Sequence, residues 1–566
     1  MTQDAHLSRR QFLGAASLGL AAVGLAACSS SGSGATATPG AADSRHDAAK
    51  RARVLSGPPG PGPVSGGLYG GTVDVGWNAE ANSFDPALGY NLQAWDAITC
   101  LLFTPLYQFA GEYGGAAPAL AAAMPEITDG GLRYVIPLRP DARFSTGRAI
   151  VADDYIYSWT RVLEPKLASW ASSYLAPIEG SAEVISGKSK TLSGVRAIND
   201  HVLEIRLSQP TFTFLNQLAQ PYSAAVPREV VESEGARFGT RPVGSGPFMI
   251  TSYSNSDQAA TFVRNKNYAW KGLPYLAGVN YHWGVNSQLE LLQLEKGVIE
   301  VIGDGISPGL AAQVEAEPSL RRYTEQVKLN ATAWVALNCA KGPLSDPRVR
   351  VALNWATDRT ALAEVTHGEW QAWGYPLPAE LVDYRRIAKP FGFDQRLARS
   401  LLSAAGVSKL RVSFLTDGGD PWTNVSQILQ QQWAEIGVSL VIDTVSTSAL
   451  DTISTTVPLR TDSFSDDYYM VQPSALDLIM PNFTSNGSYN SYSYKNATID
   501  SLVTKAEAQT TLAESNLYVA RIEEALVQDP PGVFLFNVGF LAGQSPQLHN
   551  YQYRGETGSY YNRMWL

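Results

Sequence analysis

From Gly71 onward, short runs with an apolar residue at every second position alternate with runs whose apolar residues recur every third or fourth. Val73, Val75 and Trp77 have the first spacing, as do Tyr134, Ile136 and Leu138, then Leu203, Ile205 and Leu207, and again Val438, Leu440 and Ile442. A period of two is that of a strand with one buried face. Ala152, Ile156, Trp159 and Leu163 share a helical face, with Asp153 and Asp154 at the positive N-terminal end. Asp346-Pro347 reads as an N-cap and first-turn proline ahead of the stripe Val349, Ala352, Leu353 and Ala356. Val425, Ile428, Leu429, Trp433 and Ile436 form another stripe, stopped by Gly437. Interleaved strands and helices over this length require α/β layers. No internal repeat is visible.

The chain has 566 residues, 45% hydrophobic and 17% charged, enough for a filled core and roughly three or four domains on length. A net charge of −9 argues against nucleic acid as a partner, because phosphate binding needs clustered Lys and Arg. The start of the chain has a different character. Arg9 and Arg10 precede a weakly apolar stretch, Leu13 to Ala27, which ends Leu25-Ala26-Ala27-Cys28. That stretch falls short of the roughly 20 residues of a spanning helix, so it reads as a signal peptide. It resembles twin-arginine signal peptides ending in a lipobox, with a departure at Gly14, where a Lys is common. The resemblance implies cleavage before Cys28, a diacylglyceryl group on its thiol, and a place on the outer face of the cytoplasmic membrane. Residues 29–67 are rich in Ser, Gly, Ala, Pro and Thr. As a flexible coil they would span roughly 35 Å r.m.s.. No later apolar run approaches spanning length.

Catalytic patterns are missing. The sequence has no Gly-x-Ser-x-Gly elbow, His-Glu-x-x-His or Cys-x-x-Cys. Gly187-Lys188-Ser189 lacks the first glycine of a phosphate-binding loop, since position 182 is Ala182. The six histidines have no metal-ligand spacing, and Asp417-Gly418-Gly419-Asp420 reads as a turn with too few oxygen ligands for calcium. No cofactor is implied. Cys100 and Cys339 are either a disulfide, which export would permit, or two buried thiols.

An ordered series of motifs runs through the body. It begins with Ser83-Phe84-Asp85-Pro86, then Leu106-Tyr107 in an expected helix, Pro118-Ala119-Leu120-Ala121 and Asp129-Gly130-Gly131 leading into Leu132–Pro140. Phe144-Ser145-Thr146-Gly147, Ala152-Asp153-Asp154, Gly244-Ser245-Gly246-Pro247-Phe248, Arg264-Asn265-Lys266-Asn267-Tyr268 and Asp346-Pro347-Arg348 through Asp358-Arg359 follow. In this order they resemble the extracellular solute-binding proteins of family 5, the oligopeptide, dipeptide and nickel class of ATP-driven importers. The resemblance implies a two-lobed periplasmic-binding-protein-like α/β fold (class II, cluster C type) with an extra domain inserted in the first lobe. The expected division is a signal peptide at 1–27 and a lipidated tether at 28–67. Lobe I takes 68–102, 226–328 and 536–566, the inserted domain 103–225, and lobe II 329–535. The implied activity is capture without covalent chemistry: the lobes close on a ligand and the closed form docks on a permease driven by cytoplasmic ATPases.

In peptide-binding members an Asp in a Trp-x-x-Asp-Tyr context pairs with the peptide's α-ammonium. The matching stretch is Phe464-Ser465-Asp466-Asp467-Tyr468, which gives that role to Asp467. The backbone near Ser463 and Ser465 would bond the peptide as an added strand, and Phe464 would supply an apolar wall. Tyr90 and Asn91 would line the cleft from the first lobe. The stretch departs from the pattern at Phe464, at Ser463, and at Gln472-Pro473, which stands for an acid-Pro pair after a two-residue insertion. The readings kept open are a monomer that captures short peptides, the same role for an oligosaccharide, opine-like compound or metal chelate, and a secreted hydrolase using paired carboxylates.

Overall fold

The computed structural model describes residues 63–566 except 110–115, 212, 382–383, 420, 457–458, 510 and 555–557. Arg9, Arg10 and Cys28 lie outside the described residues, as does most of the expected tether.

One eleven-stranded mixed sheet runs through the molecule. In chain order its strands are β1 (Thr72–Gly76), β2 (Phe248–Ser254), β3 (Ala259–Arg264), β4 (Gly278–His282), β5 (Val301–Ile306), β6 (Thr324–Leu337), β7 (Gln371–Ala372), β8 (Leu410–Thr416), β9 (Val438–Thr444), β10 (Ser463–Tyr469) and β11 (Gly532–Gln544). The spatial order is β9-β8-β10-β6-β11-β5-β1-β4-β3-β2, with β7 paired to β11. Lobe I holds β5, β1 and β4 as a parallel set, extended by antiparallel β3 and β2. Lobe II holds β9, β8 and β10 in parallel.

Two strands connect the lobes. β6 and β11 are 14 and 13 residues long and antiparallel. Their lobe I halves pair from Thr324↔Gly543 to Lys328↔Gly539, and their lobe II halves from Thr332↔Asn537 to Ala336↔Gly532. The register shifts between Lys328 and Thr332 and again between Ala333 and Trp334. Such irregularities bend a ladder and raise its twist, and here they fall where neighbour β5 gives way to β10. The lobe II half of β6 is buried on both faces, so its sequence is apolar from Ala333 to Leu337 instead of alternating.

The inserted domain has its own sheet, ordered Glu126–Thr128, Arg133–Pro137, Val202–Arg206, Val195–Asn199, with the helix Ala152–Leu163 packed on it. Its separate core includes Tyr107, Ile136, Phe144, Trp159, Leu203 and Phe214. Leu106-Tyr107 does not lie in a helix as expected. The helical stretch ends at Leu102, and Tyr107–Phe109 is a strand paired with Ala116–Pro118. Pro105 explains the difference, since proline disfavours helix at the residue before it and has no N–H to donate.

The recurring motifs have structural reasons. Asp85 is 2% exposed, accepts the Ala87 N–H at 3.0 Å, and takes a bidentate pair from Arg161 of the inserted domain. A Cβ on Gly244 or Gly246 would stand 2.0 or 2.3 Å from the carbonyl oxygen of Leu102 or Leu101. Glycine is therefore required where this turn crosses the chain. Asn265 donates to Gly246 O at 2.8 Å, and Asn267 to Ser145 O at 2.9 Å. In lobe II, Asp346 caps the helix Pro347–Trp355, whose Arg350 donates to Pro530 O at 2.7 Å. Arg359 donates to Phe534 O at 2.6 Å, fastening this region to β11. Cys100 and Cys339 are not joined in a disulfide, and Cys100 is buried.

Candidate functional site

In open α/β sheets, ligands bind beyond the carboxyl ends of the parallel strands. On lobe I this edge is formed by the ends of β1, β4 and β5. Asp304, near the end of β5, accepts the Asn78 N–H at 2.6 Å and the Gln93 Nε2 at 2.9 Å. Burial pushes its carboxyl up to about 7, against the pull of those two donors. Glu290, on the helix Ser287–Glu295, is fully buried, and neither carboxylate oxygen has a hydrogen-bond partner. Burial and the nearby charge of Asp304 push Glu290 up to about 8.

The Glu290 environment sets a pH dependence. Its folded value lies above its unfolded value, so the folded state keeps a proton that the unfolded chain releases. Stability therefore falls as pH rises from about 4.5 to about 8 and levels off above that. Glu290→Met should remove this slope. Its gain should be small at pH 4.5 and grow by about 3–4 kcal/mol by pH 8, as measured by chemical denaturation at several pH values. A gain that does not change with pH would rule out a titrating Glu290.

On lobe II, β10 carries the residues expected from sequence. It pairs along its whole length with β6, from Leu337↔Ser463 to Ala331↔Tyr469, and with β8 at Phe414↔Ser463 and Leu415↔Phe464. Alternation divides its side chains. Phe464, Asp466 and Tyr468 face the lobe II core, where the Phe464 and Tyr492 rings are 6.4 Å apart and those of Tyr468 and Tyr489 6.2 Å. Asp467 falls on the opposite face, half-buried, across from Ala333.

Several expected site residues have other work. Ser463 is fully buried, its hydroxyl donating to Ser413 O at 2.8 Å, and its backbone is paired on both sides. An added strand can therefore begin only past Phe464. Phe464 itself is 1% exposed and belongs to the core, not to a cleft wall. Ser465 is buried beside Asp466 and Asp467. Asn91 caps the helix Leu92–Asp96, accepting from Ala94 N at 3.2 Å and Asn82 N at 3.1 Å while donating to Glu80 O at 2.8 Å. Its side chain shapes the loop, and Tyr90 beside it is half-buried. Sequence reasoning missed Asp304, although an acid between two glycines in Val301-Ile302-Gly303-Asp304-Gly305-Ile306 is an unusual strand.

A direct contact also joins the bodies away from the linking strands. The buried Gln220 donates its Nε2 to Val471 O, just past β10, at 2.5 Å. Among the described residues no group of three or more His, Cys, Asp or Glu is placed to hold a metal ion, and no helix is long and apolar enough to cross a membrane.

A two-lobed α/β protein with linking strands and an inserted domain has the architecture of a solute-binding protein. The match of residues 115–495 to the model of the bacterial extracellular solute-binding proteins, family 5, makes the class specific, and the chain belongs to that family. Heme-binding protein A of Haemophilus influenzae is 27% identical over 380 residues, covering 63% of this chain and 66% of that protein. The periplasmic oligopeptide-binding protein OppA of Escherichia coli is 26% identical over 419 residues, covering 70% and 75%. Among solved structures, clavulanic acid biosynthesis oligopeptide binding protein 2 superposes with a TM-score of 0.79 at 21% identity, covering 89% of this chain and 96% of its own. The periplasmic murein tripeptide binding protein MppA, in its unliganded open form, gives 0.76 at 22% identity, covering 89% and 98%. These likenesses establish the fold. Members of the family are binding proteins and not enzymes, and they work outside the cytoplasm.

Proposed function

We propose that the chain captures short peptides between its lobes and delivers them to an ABC permease powered by cytoplasmic ATPases. The observation that carries this reading is Asp467, a half-buried acid near the carboxyl end of the parallel strands of lobe II. A peptide α-ammonium there would make a charge-assisted bond, with main-chain bonds to the backbone around Ser465. Tyr468 supports the strand from the core side, and Tyr90 would line the cleft from lobe I. Family membership and the peptide-binding relatives named above support the assignment. The Heme-binding relative, together with Phe464 and Ser463 in place of the family's Trp and Gly, keeps a non-peptide solute as the second reading.

The protein works as a monomer. Its lobe I comprises 68–102, 226–328 and 536–566, the inserted domain 103–225, and lobe II 329–535. The separate core of the inserted domain supports this division, and the register of β6 and β11 favours a crossing between Asn537 and Gly539, just past the boundary at 536. Twin-arginine export through Arg9 and Arg10, and a lipid on Cys28, would keep it at the outer face of the membrane. Closure would bend β6 and β11 at their register shifts. In small-angle scattering, saturating tetra-alanine should reduce the radius of gyration. Saturable binding with an unchanged radius would contradict capture by closure.

A further inference from the structure

Lobe II carries a strongly basic stretch on an acidic protein. Residues 385–411 hold seven Lys and Arg against one acid, in a chain of net charge −9. That acid, Asp394, is occupied as the N-cap of the helix Gln395–Ala404, where it accepts the Leu397 N–H at 2.9 Å. Arg385, Lys389, Arg396 and Arg399 are exposed. None of the four has a carboxylate partner among the described residues, and Arg399 reaches a main-chain carbonyl, Glu435 O, at 2.9 Å. Exposed arginines elsewhere do pair: Arg196 with Glu204 at 2.8 Å and Arg228 with Glu232 at 2.7 Å.

The same stretch presents two large apolar side chains, Ile387 and Phe393, each 50% exposed. Their neighbours hold them in place. Tyr384 donates its hydroxyl to Glu523 at 2.8 Å, and the Arg386 guanidinium lies 4.9 Å from the ring centroids of both Trp373 and Tyr375. Phe391 packs on Trp355 with ring centroids 6.1 Å apart, and its N–H donates to Gly374 O at 3.0 Å. With Tyr384, Arg386 and Phe391 fastened inward, the residues between and beside them stand outward. Apolar side chains set among unpaired cations match a bilayer interface with anionic headgroups. The apolar groups enter the acyl boundary while the cations stay with the phosphates.

We propose that this stretch is a contact surface for an anionic lipid bilayer, with Arg385, Lys389, Arg396 and Arg399 at the headgroups and Ile387 and Phe393 beneath them. The inference goes beyond solute capture and holds for any cargo. Beside the proposed lipid on Cys28, the surface would give the folded body a second, salt-sensitive hold on the membrane.

The test uses residues 29–566, which keep the whole described body and lack Cys28, sedimented with vesicles of phosphatidylcholine alone or mixed equally with phosphatidylglycerol. At low salt the mixed vesicles should bind at least about tenfold more tightly than the neutral ones, and about 0.5 M NaCl should remove the difference. Arg385→Glu, Lys389→Glu and Arg396→Glu together should weaken binding at least about tenfold. Lys166→Glu, Lys188→Glu and Lys190→Glu together make the same change in net charge at exposed positions of the inserted domain and should weaken it far less. Phe393→Ser should weaken binding without changing its salt dependence. Equal binding to both vesicles, equal losses in the two triple variants, or a Phe393→Ser variant that binds as tightly as the native chain would each overturn the surface. Binding to neither vesicle would overturn it as a lipid contact and leave an acidic protein as the partner of these cations.

Discussion

Asp467→Asn is expected to weaken binding of a short unmodified peptide by about 10- to 150-fold, the loss of one charge-assisted hydrogen bond worth about 1.5–3 kcal/mol. The substitution preserves shape and leaves the β10–β6 ladder untouched. The partner can be removed instead. An N-acetylated peptide lacks the ammonium and should bind the native protein as weakly as the free peptide binds the variant. Combining the two changes should cost little more than either alone, because both delete one interaction. Additive losses would mean that the ammonium and Asp467 do not meet. An unchanged dissociation constant for the single variant would remove Asp467 from the site.

Asp85→Ala should destabilise the junction between lobe I and the inserted domain by about 3–5 kcal/mol. Arg161 is mostly buried, with its side chain 13% exposed, and would be left without its carboxylate partner. The Ala87 N–H would lose its acceptor as well. The inserted domain should unfold ahead of the lobes, visible as an earlier transition in calorimetry and as preferential proteolysis within that domain. Adding Arg161→Met should recover much of the loss, since replacing both members of a buried pair by apolar groups is far milder than removing one. No recovery in the double variant would place the cost in the loop around Asp85 instead of the ion pair.

Periodicity made much of the framework legible. β1, β9 and the helices Pro347–Trp355 and Trp422–Ala434 fall where the apolar spacing puts them, because each buries one face. The pattern is silent for β6 and β11, whose residues are buried on both faces where they join the lobes. A one-sided alternation cannot mark such strands. Leu106-Tyr107 departs from the expected helix because the helical stretch ends at Leu102 and Pro105 keeps the following chain extended. At the site, the family pattern pointed to the stretch around Asp467 but could not separate its two faces. Phe464 turned out to be core and Asn91 a helix cap, roles decided by packing and hydrogen bonding across the fold. Glu290 and Asp304 carry no motif. Their character comes from burial by segments distant in sequence.

Native mass spectrometry of the mature protein, purified from its own cells without refolding, tests the central claim most directly. The account predicts a heterogeneous series of adducts whose masses are those of short peptides, reduced in Asp467→Asn prepared alongside. A single adduct with the mass of a sugar, an opine-like compound or a metal chelate, unaffected by that substitution, would contradict it.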